Sequence, residues 1–268
     1  MIEKQSISNT LYIPLIGNIY TSKNFKELLF DEKALELEKI IPQNNIKEIS
    51  DEYYYLASAS RYYNMDLEIK SFIKKYPKCN IVNIGAGLDT SFYRIKSDTA
   101  VFYEIDLPPV INERRQVIPE QEKDIYIECS FLDVDKWIQE IKQKELPTLL
   151  IISGVFYYFK EKDIADFFTN IKNKFTHLEA VFDCNSQTAL KGSNRYVKKT
   201  GNNAPMYFYI NDIKTYLNQL GMDITLINEY MMYYHSRKIL KRTSLKTKIV
   251  MFISDLFKMV KIEHIKIN

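Results

Sequence analysis

The sequence predicts an α/β fold, with a doubly wound, mostly parallel seven-stranded sheet and an N-terminal helical cap. Three observations support this. The first 76 residues carry apolar residues at helical spacing, five short apolar runs then alternate with four amphipathic stretches, and two more strand-like runs follow. Strands that alternate with helices pair in parallel through right-handed crossovers. We expect a single domain over residues 1–268, with a cap (1–76), a core (77–230), and a basic helical insertion with the last strand (231–268).

The cap is predicted to hold two helices, over residues 24–41 and 47–76. Their apolar residues recur three and four positions apart, as Leu28, Leu29 and Leu35 do in the first and Tyr53 and Leu56 do in the second. Pro77 should end the second helix, because proline has no amide hydrogen to donate.

The core is predicted to alternate strands and helices. The strands are expected at 81–84, 100–106, 125–129, 148–153 and 178–183, and the helices at 90–96, 108–118, 134–144 and 161–175. Residues 185–205 are polar and contain two of the seven glycines, so they are predicted to form a long loop. A helix over 210–220 should end at Gly221, a strand should follow at 223–229, and the chain should close with a strand at 262–267.

Charge is nearly balanced along most of the chain. Lys and Arg total 37 against 34 Asp and Glu, and this net charge of +3 is too small to demand a nucleic-acid partner. Residues 237–268, however, contain nine basic and two acidic residues. Residues 239–260 read as a basic amphipathic helix or pair of helices, and the basic stretch either attracts an anionic acceptor, a membrane surface or RNA, or is a solvated face.

Cysteine and hydropathy patterns favour a reduced, cytoplasmic protein. Cys79, Cys129 and Cys184 lie about fifty residues apart, without the spacing of a zinc site or a redox pair. The longest near-apolar run, 149–159, is far shorter than the roughly 20 residues of a membrane-spanning helix. We therefore expect no stable membrane insertion and no metal; the sequence gives no prediction of oligomeric state.

The strongest local motif lies where the first core strand ends. Residues 83–90 read Asn-Ile-Gly-Ala-Gly-Leu-Asp-Thr, and glycines at such a turn let the backbone approach a ligand closely. Thr90 replaces the third glycine of the dinucleotide fingerprint, and the Gly-Lys-Ser/Thr of a phosphate-binding loop is absent. The alternative is an ordinary strand-to-helix turn.

About twenty residues later, Asp106 ends the second core strand. A carboxylate at this point of a doubly wound sheet accepts hydrogen bonds from ribose hydroxyls. The alternative is a helix N-cap without a ligand, because Pro108 and Pro109 suit a first helical turn. Together, the glycine turn and Asp106 indicate a ligand that contains a nucleoside but no phosphates.

Residues 81–94 and 103–108 resemble the core signature of the leucine carboxyl methyltransferase family. The resemblance continues in 130–133 with Trp137 and in 147–159, and it spans roughly residues 8–230. That family includes phosphatase carboxyl methyltransferases and bacterial enzymes of the tetracenomycin polyketide O-methyltransferase type. Residues 10–15 resemble the bacterial small-molecule branch. The resemblance implies the Rossmann-like fold of class I methyltransferases and S-adenosylmethionine as cofactor.

Matching positions of the family motif imply a set of cofactor-binding residues. Gly85, Ala86 and Gly87 would lie beside the methionyl part, Asp106 would hold the ribose, Ser130 and Phe131 would contact adenine, and Arg61 would pair with the cofactor carboxylate. For Arg61 the alternative is a surface salt bridge. Two positions depart from the family. Ser153 stands where a Glu usually helps hold the cofactor amino group, so it supplies a hydrogen bond without the charge, and Asn18 stands where many relatives have a basic residue.

The resulting functional prediction is O-methylation of a small-molecule carboxylate or hydroxyl. Methylation of a protein C-terminus and cofactor binding without catalysis stay open as alternatives. A carboxylate acceptor is already ionised near neutral pH, whereas a phenol or alcohol needs a base. The chain has three histidines, His177, His235 and His264; only His235 could face the cleft, and none is expected to be catalytic.

Tyrosines that follow the strand ends are candidates for an acceptor pocket. Tyr157, Tyr158 and Tyr207 would wall such a pocket, since acceptor pockets are mostly apolar with a few polar anchors. The alternative for each is ordinary aromatic packing.

Overall fold

The structure, a computed structural model, describes residues 4–41, 51–199 and 205–268. One sheet contains seven strands in the order β3-β2-β1-β4-β5-β7-β6. Their bounds are β1 Asn80–Ile84, β2 Val101–Asp106, β3 Asp124–Glu128, β4 Thr148–Ile152, β5 Leu178–Asn185, β6 Ile224–Met231 and β7 Val260–Ile267. The first five strands pair in parallel and β7 is antiparallel to both neighbours, so the predicted mostly parallel sheet is confirmed.

The described residues also form ten α-helices. These are α1 Lys4–Asn24, α2 Glu32–Leu37, α3 Glu52–Lys75, α4 Ser91–Ile95, α5 Pro108–Val117, α6 Val134–Glu140, α7 Glu161–Ile171, α8 Gln187–Lys199, α9 Ile213–Leu220 and α10 Leu245–Leu256. Three 3₁₀ segments lie at Glu38–Ile40, Phe156–Tyr158 and Tyr234–Arg242. The predictions for 47–50 and 200–204 fall outside the described residues. Within the part of the chain described, no helix has the length and apolar character that crossing a membrane requires.

Alternating side chains of the central strands fill two cores. Val82 and Ile84 face a core rich in phenylalanine beneath α6, α7 and α9, while Ile81 faces a core formed with α3. Both faces of the central sheet are therefore covered by helices, as expected for parallel strands.

The predicted loop over 185–205 is wrong, because most of it is helix α8. The side-chain Oγ of Ser186 accepts a hydrogen bond from Ala189 N at 3.3 Å, and its backbone O accepts one from Leu190 N at 2.9 Å. Ala189 and Leu190 are buried. A serine cap and one short apolar face were enough to form a helix in a segment whose polar composition and Gly192 suggested a loop.

Helix α1 differs from the prediction, whereas the end of the helix before Gly221 agrees with it. Helix α1 was not predicted; it contains Pro14, and it packs closely on α3, since a Cβ at Gly17 would lie 3.1 Å from Ser58 Cβ. The helix before Gly221 begins at Ile213, where Asp212 caps it, and Gly221 ends it with a φ of 61°, as predicted. The basic segment forms two helical pieces, the 3₁₀ segment at 234–242 and α10, inserted between β6 and β7.

A buried arginine connects the cap to the core. Arg94, in α4, donates through Nε to Asp66 of α3 at 2.8 Å and through Nη1 to Asp31, the N-cap of α2, at 3.0 Å. Its Nη2 also lies 3.1 Å from Asp89, just after the glycine turn. Asn18 of α1 donates to the same Asp31 at 3.0 Å, so all three cap helices meet this network. Removing one partner of such a buried ion pair typically costs about 3 to 5 kcal/mol of stability.

A second buried charged group lies near the start of β5. His264 of β7 is hydrogen-bonded by Nδ1 to Glu68 at 2.9 Å and by Nε2 to Glu179 at 2.8 Å. Desolvation lowers the pKa of His264, but the two carboxylates outweigh it, and the pKa is raised above 6.5. Stability from this group is complete below pH 6.5 and is lost as the pH rises through the raised pKa.

Candidate functional site

The carboxyl ends of the central strands meet at one edge of the sheet, where the glycine turn follows β1. Gly85 N and Ala86 N donate to Ile105 O of β2 at 2.8 and 3.1 Å. Gly85 has a φ of 67°, and a Cβ at this position would lie 2.4 Å from Val155 Cγ2. Because both the backbone conformation and the neighbouring side chain exclude a Cβ, position 85 requires glycine.

Asp106 lies directly against this turn. Its Oδ2 accepts a hydrogen bond from Gly87 N at 2.8 Å, and its Oδ1 accepts one from Leu107 N at 2.7 Å. Burial raises the pKa of Asp106, which the two backbone donors partly offset. The two backbone bonds occupy only part of the acceptor capacity of a carboxylate, which has about four lone-pair positions. The structure therefore places Asp106 in direct contact with the glycine turn, with acceptor capacity to spare.

Ser130 and Phe131 follow β3, beside the end of β2. Cys129 N donates to Asp106 O at 2.9 Å, which places Ser130 next to Asp106 along the strand edge. The ring of Phe131 is buried in the aromatic core, and its carbonyl accepts a hydrogen bond from Trp137 Nε1 at 2.9 Å. The side chain of Phe131 therefore packs in the aromatic core.

Arg61 of α3 reaches the ends of β4 and β5. Its Nη1 donates to Tyr157 Oη at 2.9 Å and lies 3.5 Å from Asp183 Oδ2. The side chain is 17% exposed and that of Asp183 3%, so the alternative of a surface salt bridge is wrong for Arg61. Desolvation lowers the pKa of Arg61, but the neighbouring Tyr157 and Asp183 raise it well above its ordinary value, so the guanidinium stays charged.

Asp183 is a site residue that the sequence analysis did not select. It lies near the end of β5, and its Oδ1 accepts a hydrogen bond from Gly154 N at 2.6 Å. The β4–β5 register, with Ile152 opposite Phe182, places Asp183 beside Ser153. A carboxylate at the end of a buried strand is the signal that selected Asp106, and the same signal was present here.

Gly154 allows these groups to approach one another. It has a φ of 74°, and a Cβ there would lie 3.0 Å from both Arg61 Nη1 and Tyr157 Oη. Two buried polar atoms of this cluster, Arg61 Nε and Ser153 Oγ, have no hydrogen-bond partner among the described residues. Buried polar groups are nearly always paired, and these two are among sixteen unpaired buried side-chain atoms in the described part of the chain.

The three candidate acceptor tyrosines lie together, and Tyr157 contacts Arg61. Tyr207 N donates to Tyr157 O at 2.6 Å, and the rings of Tyr157 and Tyr158 meet edge to face at 4.9 Å. Tyr157 is buried, and its pKa is raised strongly, mainly by desolvation, so its hydroxyl is neutral. Tyr158 and Tyr207 are exposed.

The histidines lie elsewhere. His177 and His264 are bound to Glu179 near the start of β5, away from the strand ends that form the crevice. His235 packs against Tyr63, Tyr230 and Tyr234, and desolvation together with Lys238 lowers its pKa.

In the described ranges, no histidine forms a hydrogen bond, ion pair or ring contact with Arg61, Asp106, Asp183 or the three tyrosines. No metal-binding group of histidine, cysteine or acidic residues occurs in that part of the chain either.

Helix α1 lies against the glycine turn from the cap side. Leu11 Cδ1 lies 3.4 Å from the position of a Cβ at Gly87, and Tyr12 Oη donates to Glu113 of α5 at 2.6 Å. Asn18 lies further along α1, where it is buried and bound to Asp31. Asn18, where the family resemblance led us to expect a basic residue, is therefore part of the cap network.

Comparison with known proteins agrees with this architecture. The chain is similar to leucine carboxyl methyltransferase 1 of Rattus norvegicus, with 24% identity over 140 residues and coverage of 40% of this chain and 42% of the rat protein. The chain thus spans less than half the length of that curated relative.

Among solved structures, it is similar to a Thermobifida fusca YX protein described as a methyltransferase, with a TM-score of 0.60, 10% identity and 94% coverage of both chains. It is also similar to a DUF574 family protein of Streptomyces avermitilis, with a TM-score of 0.59, 10% identity and coverage of 94% of this chain and 97% of the other. These likenesses show the class I methyltransferase fold.

The family model for leucine carboxyl methyltransferase matches residues 22–172, more than half of the chain. Members of that family use S-adenosylmethionine as methyl donor, which confirms the predicted cofactor. The chain belongs to the leucine carboxyl methyltransferase family.

Proposed function

We propose that this protein is an O-methyltransferase that methylates a small-molecule carboxylate or hydroxyl, and that a carboxylate is the favoured acceptor. The observation that carries this preference is the absence, among the described residues, of a histidine in contact with the site. A carboxylate is ionised near neutral pH and needs no base, whereas a hydroxyl does.

The residues present fit the cofactor. Asp106 has acceptor capacity left for ribose hydroxyls, and Ser130 lies beside it for the adenine side. Gly85, Ala86 and Gly87 would border the methionyl part. Arg61, with its unpaired Nε, would bind the methionyl carboxylate.

Asp183 supplies the negative charge that Ser153 lacks. Its carboxylate lies within 3.5 Å of Arg61 and comes from the strand next to Ser153. Opposite charges so close together suit a zwitterion, which carries both an ammonium and a carboxylate. We propose that Asp183 and Ser153 Oγ hold the ammonium while Arg61 holds the carboxylate.

The bound cofactor would supply a sulfonium methyl group that is transferred in line to the acceptor oxygen. The protein's own contribution is to orient the acceptor and exclude water. Tyr157, a neutral donor fixed by Arg61, and the more exposed Tyr158 and Tyr207 would wall the acceptor space. Burial raises the pKa of Tyr157, which favours a neutral hydroxyl that donates a hydrogen bond.

The test is methyl transfer from radiolabelled S-adenosylmethionine to panels of small carboxylates and phenols. A methyl ester is cleaved by alkali and releases volatile methanol, whereas a methyl ether is stable. Alkali-labile label on a small carboxylate would support the proposal. Alkali-stable label on phenols alone would refute the preference for a carboxylate.

Methylation of a protein C-terminus is the second candidate, and similarity to the rat protein favours it. The same assay with peptides that end in a free carboxylate separates the two functions. Label on peptides but not on small carboxylates would establish the second candidate. Cofactor binding without turnover on any acceptor would instead indicate a non-catalytic relative.

A further inference from the structure

The outward face of α10 is apolar. Leu245, Ile249, Phe252 and Leu256 follow the spacing i, i+4, i+7, i+11, which places them in one row along the helix. Beside this row lie Ile253 and Phe257, and all six side chains are 41 to 72% exposed. A surface helix normally turns such a row toward the protein.

The opposite face of α10 already packs on the protein. Thr247, Met251 and Ser254 are buried, and Met251 belongs to the cluster that joins the insertion to Leu56 and Ala59 of α3. The exposed row is therefore a second apolar face, on the other side of an anchored helix. Because it is not needed for folding onto α3, it is available for an external contact.

Positive charge surrounds the row. At 3.6 residues per turn, Lys246 lies on one side of it and Lys248 on the other. Residues 237–258 contain seven basic residues and one acidic residue. Among the described residues, no carboxylate oxygen lies within 4.0 Å of the ammonium nitrogen of Lys238, Lys241, Lys248 or Lys258. Lys246, in contrast, pairs with Asp51.

This charge arrangement distinguishes between occupants. In a symmetric pair of copies joined through α10, the lysines at both edges would face lysines of the other copy, and like charges so placed repel. An anionic lipid surface instead matches both features, since its headgroups attract the lysines and its acyl boundary takes up the apolar row. Twelve residues span about 18 Å, which suits a helix lying along the surface.

We propose that α10 binds the protein peripherally to an anionic membrane surface, with Leu245, Ile249, Phe252 and Leu256 buried at the headgroup boundary. The proposal is independent of the methyl acceptor. It adds a surface contact and no insertion across the bilayer.

The test is co-sedimentation of the full-length protein with phosphatidylcholine vesicles, with and without phosphatidylglycerol. We expect binding only with phosphatidylglycerol, and a decrease at high salt because surface charges are screened. In the double variant Phe252→Ser/Leu256→Ser, the partition coefficient should fall about tenfold or more. The matched control Phe30→Ser/Ile227→Ser changes two side chains of similar exposure elsewhere and should bind like the wild type.

Thermal melting of both double variants checks that they fold. Absence of binding to phosphatidylglycerol vesicles, or equal binding by the α10 variant and the wild type, would overturn the proposal. The proposal would also be overturned if vesicle binding were absent and light scattering showed a concentration-dependent dimer that the α10 substitutions abolish. That outcome would identify a second copy as the occupant.

Discussion

Replacing Asp183 with Asn tests the proposed cofactor site most sharply. The substitution Asp183→Asn keeps the size of the side chain and an acceptor for Gly154 N, which lies 2.6 Å from Oδ1. It removes the negative charge, which lies 3.5 Å from Arg61 Nη1. The change therefore isolates electrostatics from packing.

The magnitude follows from the burial of the carboxylate, whose side chain is 3% exposed. At about 4 Å and an effective dielectric constant of about 20, two unit charges interact by about 4 kcal/mol. Desolvation of the ligand ammonium offsets part of this, and hydrogen bonds to charged groups typically contribute about 1.5 to 3 kcal/mol. We therefore expect the Kd for S-adenosylmethionine to rise by roughly 10- to 100-fold.

Isothermal titration calorimetry measures this effect, and the choice of ligand provides the control. S-adenosylhomocysteine carries the ammonium and the carboxylate, whereas 5′-methylthioadenosine has the same adenosyl group without them. Asp183→Asn should weaken binding of the first ligand and leave the Kd of the second unchanged. Thermal melting confirms that the variant is folded.

Two results would refute the reasoning. An unchanged Kd for S-adenosylhomocysteine would show that Asp183 does not face the ammonium. An equal loss of affinity for both ligands would show that the substitution acts through the shape of the crevice and not through charge.

Three further predictions concern the turn, the ribose site and the buried histidine. Asp106→Ala should weaken the binding of both S-adenosylhomocysteine and 5′-methylthioadenosine by about 1.5 to 3 kcal/mol, because a hydrogen-bond acceptor is lost. An unaltered Kd for 5′-methylthioadenosine in calorimetry would refute the role of Asp106 in ribose binding. Gly85→Ala should lower the free energy of unfolding in urea by at least roughly 1 to 2 kcal/mol, because of its φ of 67° and the contact with Val155. The control Gly192→Ala lies in open helical surroundings and should instead stabilise the folded protein by up to about 1 kcal/mol. Equal changes in the free energy of unfolding for the two substitutions would contradict backbone strain at position 85. The wild type should lose stability as the pH rises from 6.5 through the raised pKa of His264, and His264→Gln should flatten this loss. Titrating groups that do not contact His264 cancel in this difference, and parallel pH profiles of the two proteins would argue against the assignment.

Features set by neighbouring residues along the chain were predictable. Gly85 and Gly87 have positive φ values, because a strand end and the following helix start are local events. Asp106 contacts Gly87 from 19 positions further along the chain, and the predicted parallel pairing of the two strands made this contact predictable. The end of α9 at Gly221 is equally local. The strand pattern was readable because buried parallel strands are short, nearly continuous apolar runs.

Features set by tertiary contacts were not predictable in the same way. The pairing of Arg61 with Asp183 depends on where α3 crosses the ends of β4 and β5, and no spacing in the sequence encodes that crossing. The packing of the Phe131 ring against Phe167 is likewise a tertiary contact, while the predicted contact of Phe131 with adenine stays a prediction. Helix α8 was missed since its apolar face is short and its stability comes from packing and from Ser186.

The Arg94 network has a consequence for how the protein unfolds. Asp31 and Asp66 belong to the cap, while Asp89 and Arg94 itself belong to the core, and all four side chains are buried. Melting of the cap alone would break the pairs of Arg94 with Asp31 and Asp66 and leave Asp89 as its acidic partner in the core, and breaking such buried pairs typically costs about 3 to 5 kcal/mol. Cap and core should consequently melt in one cooperative transition, and a protease that cuts between them should act only on globally unfolded molecules.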